Sequence, residues 1–482
     1  MAGAGRLAET ALFSGIGVFC IVALGTDLPP ALVLGLPFVC AATLLLLQRI
    51  EWCLAVLAFV IYTNLADVLL ARYGIPSVTK LLFGVVIAAV ILRWSLGHQK
   101  LHLPVLAILL VLIYGVLRIV SSLYAMDSGA ALEDGMAYFK EAMIGLLFAT
   151  LVVDAAAFRG VLWAALAGGG LVAALSTYQV VTGNYDMEFG GLAKAGLHQI
   201  VGELDSYRIT GPLTDPNFYA QTLVALVPVA VNRIAGERTP MLKFLAALVA
   251  GVLVTAIVFS YSRGALLALL CVAAAMALVW RPKPRHILAA AAVGCMMLPF
   301  VPASYYDRIA AVETTLDSDS RGSDGSIQGR MAQFQVGLAM VGNHPITGVG
   351  AGNYPVNFEQ YTNLLQVENR REEREAHSLY LEVLAELGVV GFVVFCALLL
   401  SLAVSIYTGV RTLDGAGCRD TANLGRALGF GLMGYGIAAV WLHSAWPEYF
   451  WLLAGLAWAL PIVARTEAGM ARTGQTGVQQ EG

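Results

Sequence analysis

Apolar stretches of roughly 17 to 25 residues recur along the whole chain, and each is long enough to cross the ~30 Å hydrocarbon core of a bilayer as a helix. They make 59% of the 482 residues hydrophobic, leave 13% charged and give a mean hydropathy of +0.75. Soluble domains do not have this composition. The sequence therefore predicts an all-α polytopic membrane protein with about 12 to 14 transmembrane helices and one long loop outside the membrane that contains short helices.

The predicted spans are separated by short polar connections, and their ends are uncertain by several residues. The first span has no small-residue cleavage site and is expected to stay as a permanent helix. The spans lie near residues 11–27, 30–47, 52–71, 78–94, 104–123, 139–154, 158–182, 217–233, 241–260, 264–280, 286–303, 378–409, 424–443 and 448–464.

Charge and cysteine content exclude several classes of protein. A net charge of −3, without a basic run interleaved with aromatic residues, gives no reason to expect a nucleic-acid partner. The seven cysteines are scattered, mostly within apolar stretches, and have no C-x-x-C spacing, so we expect neither disulfides nor a zinc site. Membrane lipids are the partner that the composition predicts.

Lysine and arginine distribution orients the chain. With a cytoplasmic N-terminus, most short-loop cations fall inside, including those of "RPKPRH", as the positive-inside rule requires. Two long segments, 183–216 and about 304–376, then lie outside, and the second contains a predicted helix from Gly329 to Gly342. The chain is divided into an N-terminal bundle (1–182), spans with outer arginines (183–303), a large outer loop (304–376), C-terminal spans (377–464) and a cytoplasmic tail (465–482).

Two polar clusters on the outer side contain arginine. The stretch "DSYRITGPLTDPNFYAQ" places Arg208 in a loop and Asp215 as the N-cap of the next span. Arg263, in "FSYSRGALLALL", sits at the turn between two spans. An arginine at such a boundary either extends to lipid headgroups or holds a partner. Together with the helix N-termini near Asn217 and Gly264, these arginines favour a cradle for phosphate oxygens.

The third cluster precedes the span from residue 378 and contains Arg370, Arg374 and His377. His377 is interpreted as a buried structural histidine or as a base at the membrane surface. Metal ligation is disfavoured, because the positions three and four residues later are tyrosine and leucine. At 100° per residue, Glu386 falls about 180° around the predicted helix from His377, so we expect it to be a structural partner between helices.

The motifs that carry these residues resemble the O-antigen ligase and polymerase superfamily over roughly residues 200 to 400. The resemblance is carried by "GPLTDPN" with an arginine before it, "YSRGALLAL", "GNHPITGVGAGNY" and "HSLYLEVLAELGVVGF". It implies transfer of a glycan from undecaprenyl pyrophosphate on the periplasmic face of the bacterial inner membrane, with no cofactor and no metal. In the ligase branch, which we favour, the acceptor is lipid A-core. In the other branches it is a second lipid-linked glycan or a protein hydroxyl.

The residues fit the chemistry that the resemblance implies. Pyrophosphate is a good leaving group, so the enzyme mainly needs cations for the departing charge and a base near the acceptor hydroxyl. Arg208, Arg263, Arg370 and Arg374 are predicted to bind the pyrophosphate, and His377 to deprotonate the acceptor in a single inverting displacement.

Two other classes remain open from the sequence. A lipid-linked glycan flippase or transporter would also have many helical spans, but such proteins usually place their ionisable groups near the bilayer midplane and often consist of two related halves. A membrane scaffold without chemistry is opposed only by the clustering of arginine and histidine. Loss of glycan transfer in variants of these residues would separate both classes from a glycosyltransferase.

Overall fold

Helices dominate the computed structural model, which describes residues 50–74, 102–201, 204–284, 325–366, 375–442 and 447–480 and isolated positions between 79 and 87. The predicted spans near 11–27, 30–47 and 286–303 lie outside the described residues, and so does most of the predicted span 78–94. The helices in the described part are α1 (Ile50–Thr63), α2 (Leu65–Tyr73), α3 (Val105–Ser121), α4 (Ser128–Leu151), α5 (Ala155–Thr182), α6 (Pro216–Gly236), α7 (Pro240–Phe259), α8 (Arg263–Trp280), α9 (Gly325–Asn343), α10 (Tyr354–Leu365), α11 (Leu379–Gly415), α12 (Arg419–Ala438) and α13 (Glu448–Gln480).

Six described helices are long and apolar enough to cross a membrane, or seven if the bent pair α1–α2 is one span. This confirms the prediction of a polytopic helical membrane protein. The predicted span 52–71 is interrupted at Asn64, whose left-handed backbone (φ 49°) produces a 60° bend. The predicted span 139–154 begins earlier, at Ser128, because Asp127 caps the helix by accepting a hydrogen bond from the N–H of Ala130.

The bundle has central and peripheral helices. Helices α6 and α13 each contain an apolar stretch of 18 residues that is 78% buried inside the protein. The corresponding stretch of α8 is 17% buried. Helix α12 packs against α6, α8 and α11. The peripheral helices leave apolar side chains exposed, as is expected for surfaces that face lipid.

A β-hairpin precedes α6, which the sequence analysis did not predict. Strands β1 (Lys194–Val201) and β2 (Leu204–Gly211) pair antiparallel, with Gly196 opposite Arg208. Arg208 therefore lies in a paired strand, not in the predicted loop. Ladder hydrogen bonds hold its backbone at a defined position before the chain enters α6.

Helix α11 is broken at Gly388, which has φ 59° and ψ −166°. The rings of Tyr380 and Phe395, on either side of the break, have centroids 6.0 Å apart, whereas a straight helix would separate these residues by about 22 Å. The chain therefore turns sharply at Gly388. The predicted single span from residue 378 is a short first segment followed by the long apolar helix.

The glycine-rich loop between α9 and α10 crosses this break. The break leaves backbone groups of α11 without helical partners, and the loop forms hydrogen bonds with them. Glycine permits this close approach, because a Cβ on Gly348 would lie 2.2 Å from the backbone of Glu386. The hydrogen bonds are Val349 N to Ala385 O (2.9 Å), Gly350 N to Glu386 O (2.8 Å), Val389 N to Pro345 O (2.9 Å) and Val390 N to Ile346 O (3.3 Å). The predicted helix Gly329–Gly342 is confirmed as part of α9, and the loop after it completes α11.

Candidate functional site

Arg208 joins three elements through its guanidinium. Its Nε donates to the backbone carbonyl of Ser260 at 2.8 Å, and its Nη2 donates to the side-chain oxygen of Asn217 at 3.1 Å. The residue is 7% exposed. The two bonds hold β2 against the turn before α8 and against the first turn of α6, so the position of the guanidinium is set by the tertiary structure.

The first turn of α6 is capped as the sequence predicts. The carboxylate of Asp215 accepts from the N–H groups of Asn217 (2.5 Å) and Phe218 (3.1 Å), and proline follows at the first helical position. This corrects one expectation, because the cap already occupies the N–H groups that were assigned to a phosphate cradle near Asn217. At this helix, the group that remains suited to an anion is the Arg208 guanidinium.

Arg263 is the first residue of α8 and follows a strained turn. Tyr261 has a left-handed backbone (φ 55°), which is rare for a bulky residue, and the Ser262 side chain caps the helix by accepting from Ala265 N at 3.4 Å. Ser260, which accepts from Arg208, lies three residues before Arg263. The structure therefore brings the two predicted arginines to one turn.

His377 lies outside the helix that it precedes. Its backbone is left-handed (φ 43°), Ser378 is the N-cap, and α11 begins at Leu379. The predicted rotation of Glu386 relative to His377 is therefore wrong, because that rotation assumed a helical backbone at residue 377. The imidazole Nε2 is buried.

Helices α6, α8 and α11 all start against the C-terminal end of α12. We call this end of the bundle, which also carries the β-hairpin, the hairpin end. Three helix starts meet there: that of α6 with Asn217, which binds Arg208; that of α8 with Arg263; and that of α11, which follows His377. The contacts are Gln221 Nε2 to Tyr435 O (3.0 Å), Tyr380 Oη to Gly436 O (2.8 Å), and Gly264, where a Cβ would lie 3.2 Å from the Trp441 ring.

An apolar cavity of about 240 Å³ opens beside these helix starts, between α11, α12 and α13. Its wall begins with Leu379 and Tyr380, directly after His377, and continues past Phe395 to Ile406, further along α11. Tyr435 and Gly436 close it on the α12 side. The cavity therefore runs from the residues that follow His377 along the apolar surfaces of α11 and α12.

A buried ionic group lies on the other side of the α11 break, and the sequence analysis missed it. Arg118, 5% exposed, donates through Nε to Asp134 at 2.7 Å and lies over the Tyr114 ring. The carboxylate of Glu386 accepts from the N–H of Tyr354, at the start of α10, at 3.1 Å. Glu386 thus ties the broken helix to the loop helices, which supports the structural role predicted for it. Arg118 could have been recognised from the sequence, because it is a single arginine inside the apolar stretch 104–123.

Two of the predicted pyrophosphate ligands, Arg370 and Arg374, lie outside the described residues. Within the described ranges, no group of three or more histidine, cysteine, aspartate or glutamate side chains is placed to hold a metal ion.

Comparison with known proteins gives one family. Residues 235–396 match the family model described as O-antigen ligase. No curated protein sequence matches the chain. The matched segment contains Arg263, the glycine-rich loop and His377, while Arg208 and Asp215 lie before it. The match, over about a third of the chain, supports the resemblance to the O-antigen ligase superfamily.

Proposed function

We propose that the protein transfers O-antigen polysaccharide from undecaprenyl pyrophosphate to lipid A-core on the periplasmic face of the bacterial inner membrane. The observation that carries this proposal is the convergence of Arg208, Arg263 and His377 at the hairpin end. The O-antigen ligase match supports the class of reaction. The hairpin end is then the periplasmic end of the bundle, as the positive-inside rule predicts.

The donor's two chemical parts fit two neighbouring parts of the site. Arg208, whose guanidinium is oriented by two hydrogen bonds, and Arg263 offer cations to the pyrophosphate, and Arg370 and Arg374 are proposed to join them. The apolar cavity beside Tyr380 has room for the start of a prenyl tail. Leu379 and Tyr380 of the cavity wall directly follow His377 in the chain, which supports the proposal that His377 acts at the anomeric carbon.

The reaction needs one base and stabilised departing charge. The acceptor hydroxyl oxygen attacks the anomeric carbon, His377 takes its proton, and the carbon–oxygen bond to the phosphate breaks with its electron pair leaving on the pyrophosphate. The arginines stabilise that charge, a role that metal ions serve in other phosphate chemistry, so the proposed reaction needs no metal. A single displacement inverts the anomeric centre.

Reconstitution tests the donor and the acceptor together. The purified protein is given a defined undecaprenyl-pyrophosphate glycan and either lipid A-core, a second lipid-linked glycan or an acceptor protein, with EDTA present. We expect glycan on lipid A-core alone. Product on the lipid-linked glycan would make the protein a polymerase, and product on the protein would make it a protein glycosyltransferase.

A deletion strain gives an independent test in the cell. We expect it to accumulate lipid-linked O-polysaccharide while its lipid A-core stays bare. Single repeat units attached to core would contradict the ligase assignment and favour the polymerase branch. No lipid-linked glycan on the periplasmic side would favour a flippase.

A further inference from the structure

Helix α9 is apolar on two opposite faces. Ala332, Val336 and Met340 form the buried face, with exposed fractions of 0 to 6%. At 100° per residue, Met331 and Leu338 lie on the other side of the helix. Their exposed fractions are 56% and 49%, and that of Phe334 between them is 45%. We call Met331, Phe334 and Leu338 the α9 stripe.

The buried face of α9 is accounted for by its neighbours. A Cβ on Gly337 would lie 2.7 Å from Leu381, in the first segment of α11, and Tyr354 of α10 donates to the carbonyl of Gln333 at 2.6 Å. The α9 stripe points away from these contacts. A helix that is apolar on both sides needs a second apolar environment, since an exposed apolar stripe of this size marks an interaction surface.

The end of α9 meets a surface that faces lipid. Ile346, 66% exposed, accepts from the N–H of Val390. Val389, Val390 and Val393 are 45 to 59% exposed and belong to α11, a helix that is long and apolar enough to cross the membrane. Ile346 therefore extends the exposed apolar surface of α11 toward α9.

The level of this contact in the membrane follows from α3. The 17 residues of α3 are about 25 Å long, somewhat less than the hydrocarbon core. At its end, Ser121 accepts from the N–H of Ala351, and the Tyr124 hydroxyl donates to the carbonyl of Thr347. The glycine-rich loop is thus fixed at the level where this apolar helix ends, and an apolar helix nearly as long as the hydrocarbon core is thick is expected to end near the boundary of the core.

We propose that α9 lies in the membrane interface, with the α9 stripe and Ile346 among the acyl chains of the leaflet at the hairpin end. The occupant is bulk bilayer lipid. Such a helix buries an apolar face a few ångströms into the boundary between headgroups and acyl chains. The proposal concerns the placement of the loop helices and stands or falls independently of the proposed transferase activity.

Site-specific fluorescence quenching tests this placement in the full-length protein. Leu338→Cys, Met331→Cys and Ile346→Cys are each made in a background whose seven cysteines are replaced, labelled with an environment-sensitive fluorophore and reconstituted in phospholipid nanodiscs. Val393→Cys is the lipid-facing reference. Asn363→Cys is the matched control, because Asn363 is exposed on the polar face of α10. Each label is quenched in turn by acyl-chain nitroxide lipids and by aqueous iodide.

We expect the labels at 331, 338 and 346 to be quenched by nitroxide lipids as at 393, and at least about threefold more than at 363, with blue-shifted emission. The label at 363 is expected to respond to iodide instead. Iodide quenching at 338 equal to that at 363 would overturn the proposal, because the stripe would then face water. Protection from both quenchers would also overturn it, because the stripe would then be covered by protein.

Discussion

Helix α12 has arginines near both of its ends, and the two groups are held by different partners. Near its N-terminal end, the carboxylate of Asp420 accepts from Arg233 at 2.8 Å and from Arg159 at 2.5 Å, and Arg233 also pairs with Glu237. We call this the ion-pair end. At the hairpin end, Arg208 donates to a backbone carbonyl and to an amide oxygen.

The carboxylates around Arg233 stabilise the fold. Arg233 is 1% exposed, and a buried guanidinium at that depth is tolerated when carboxylates offset its desolvation. The same contacts join α5, α6 and α12 at the ion-pair end. The carbonyl and amide acceptors of Arg208 orient its guanidinium between the turn before α8 and the first turn of α6. We predict that this orientation serves an anion, whereas the carboxylates beside Arg233 serve the fold.

The largest expected effect is that of His377→Asn. Asparagine tolerates the left-handed backbone at this position, so the substitution removes the imidazole without adding strain. Loss of a general base lowers the rate by about 10³-fold. Initial rates of glycan transfer with the purified variant provide the measurement. Full activity of the variant would remove His377 from the chemistry and leave it a structural residue.

Arg208→Lys is expected to reduce transfer by about 100-fold, because an ammonium keeps the charge but does not reproduce the two directed bonds to Ser260 and Asn217. Rates at saturating donor check this. The matched control at the other end is Arg159→Lys, which can still reach Asp420 and should transfer at nearly the normal rate. Equal effects of the two substitutions would contradict the comparison.

Asp420→Asn should lower the free energy of unfolding by about 2 kcal/mol, because it removes the carboxylate from a buried guanidinium. The cost stays at this level because Asp420 is 38% exposed and Glu237 remains beside Arg233. Denaturation of the purified variant in detergent provides the free energy. Transfer by the folded fraction should be unchanged, and a specific loss of turnover would mean that the ion-pair end takes part in function.

Tyr380→Phe is expected to have the smallest effect. It removes one hydrogen bond, from Tyr380 Oη to the Gly436 carbonyl at 2.8 Å, which is worth about 1 kcal/mol. The start of α11, which follows His377, should then be fixed less firmly against α12. We expect the rate of transfer to decrease a few-fold. Paired rate and unfolding measurements on this variant check the prediction. A loss as large as that of His377→Asn would give the hydroxyl a direct role in the site.

Local sequence determined most of the helices and several of their ends. Apolar runs of about 20 residues must form helices in a bilayer, because no water is present to bond their backbone groups. The cap of Asp215 and the proline after it could be recognised because both act within one turn. The outer arginines and His377 could be selected as candidates because charged residues at the ends of apolar stretches are few.

The tertiary structure decided how these residues are arranged. The backbone bonds across the break at Gly388 come from the glycine-rich loop, about 40 residues earlier in the chain. The partners of Arg208, Arg118 and Glu386 are likewise on other elements. Hydropathy and helical period depend on neighbours in sequence, so they predict which segments enter the membrane. They carry no information on which distant backbone group fills a break, and that pairing places the glycine-rich loop against the break in α11.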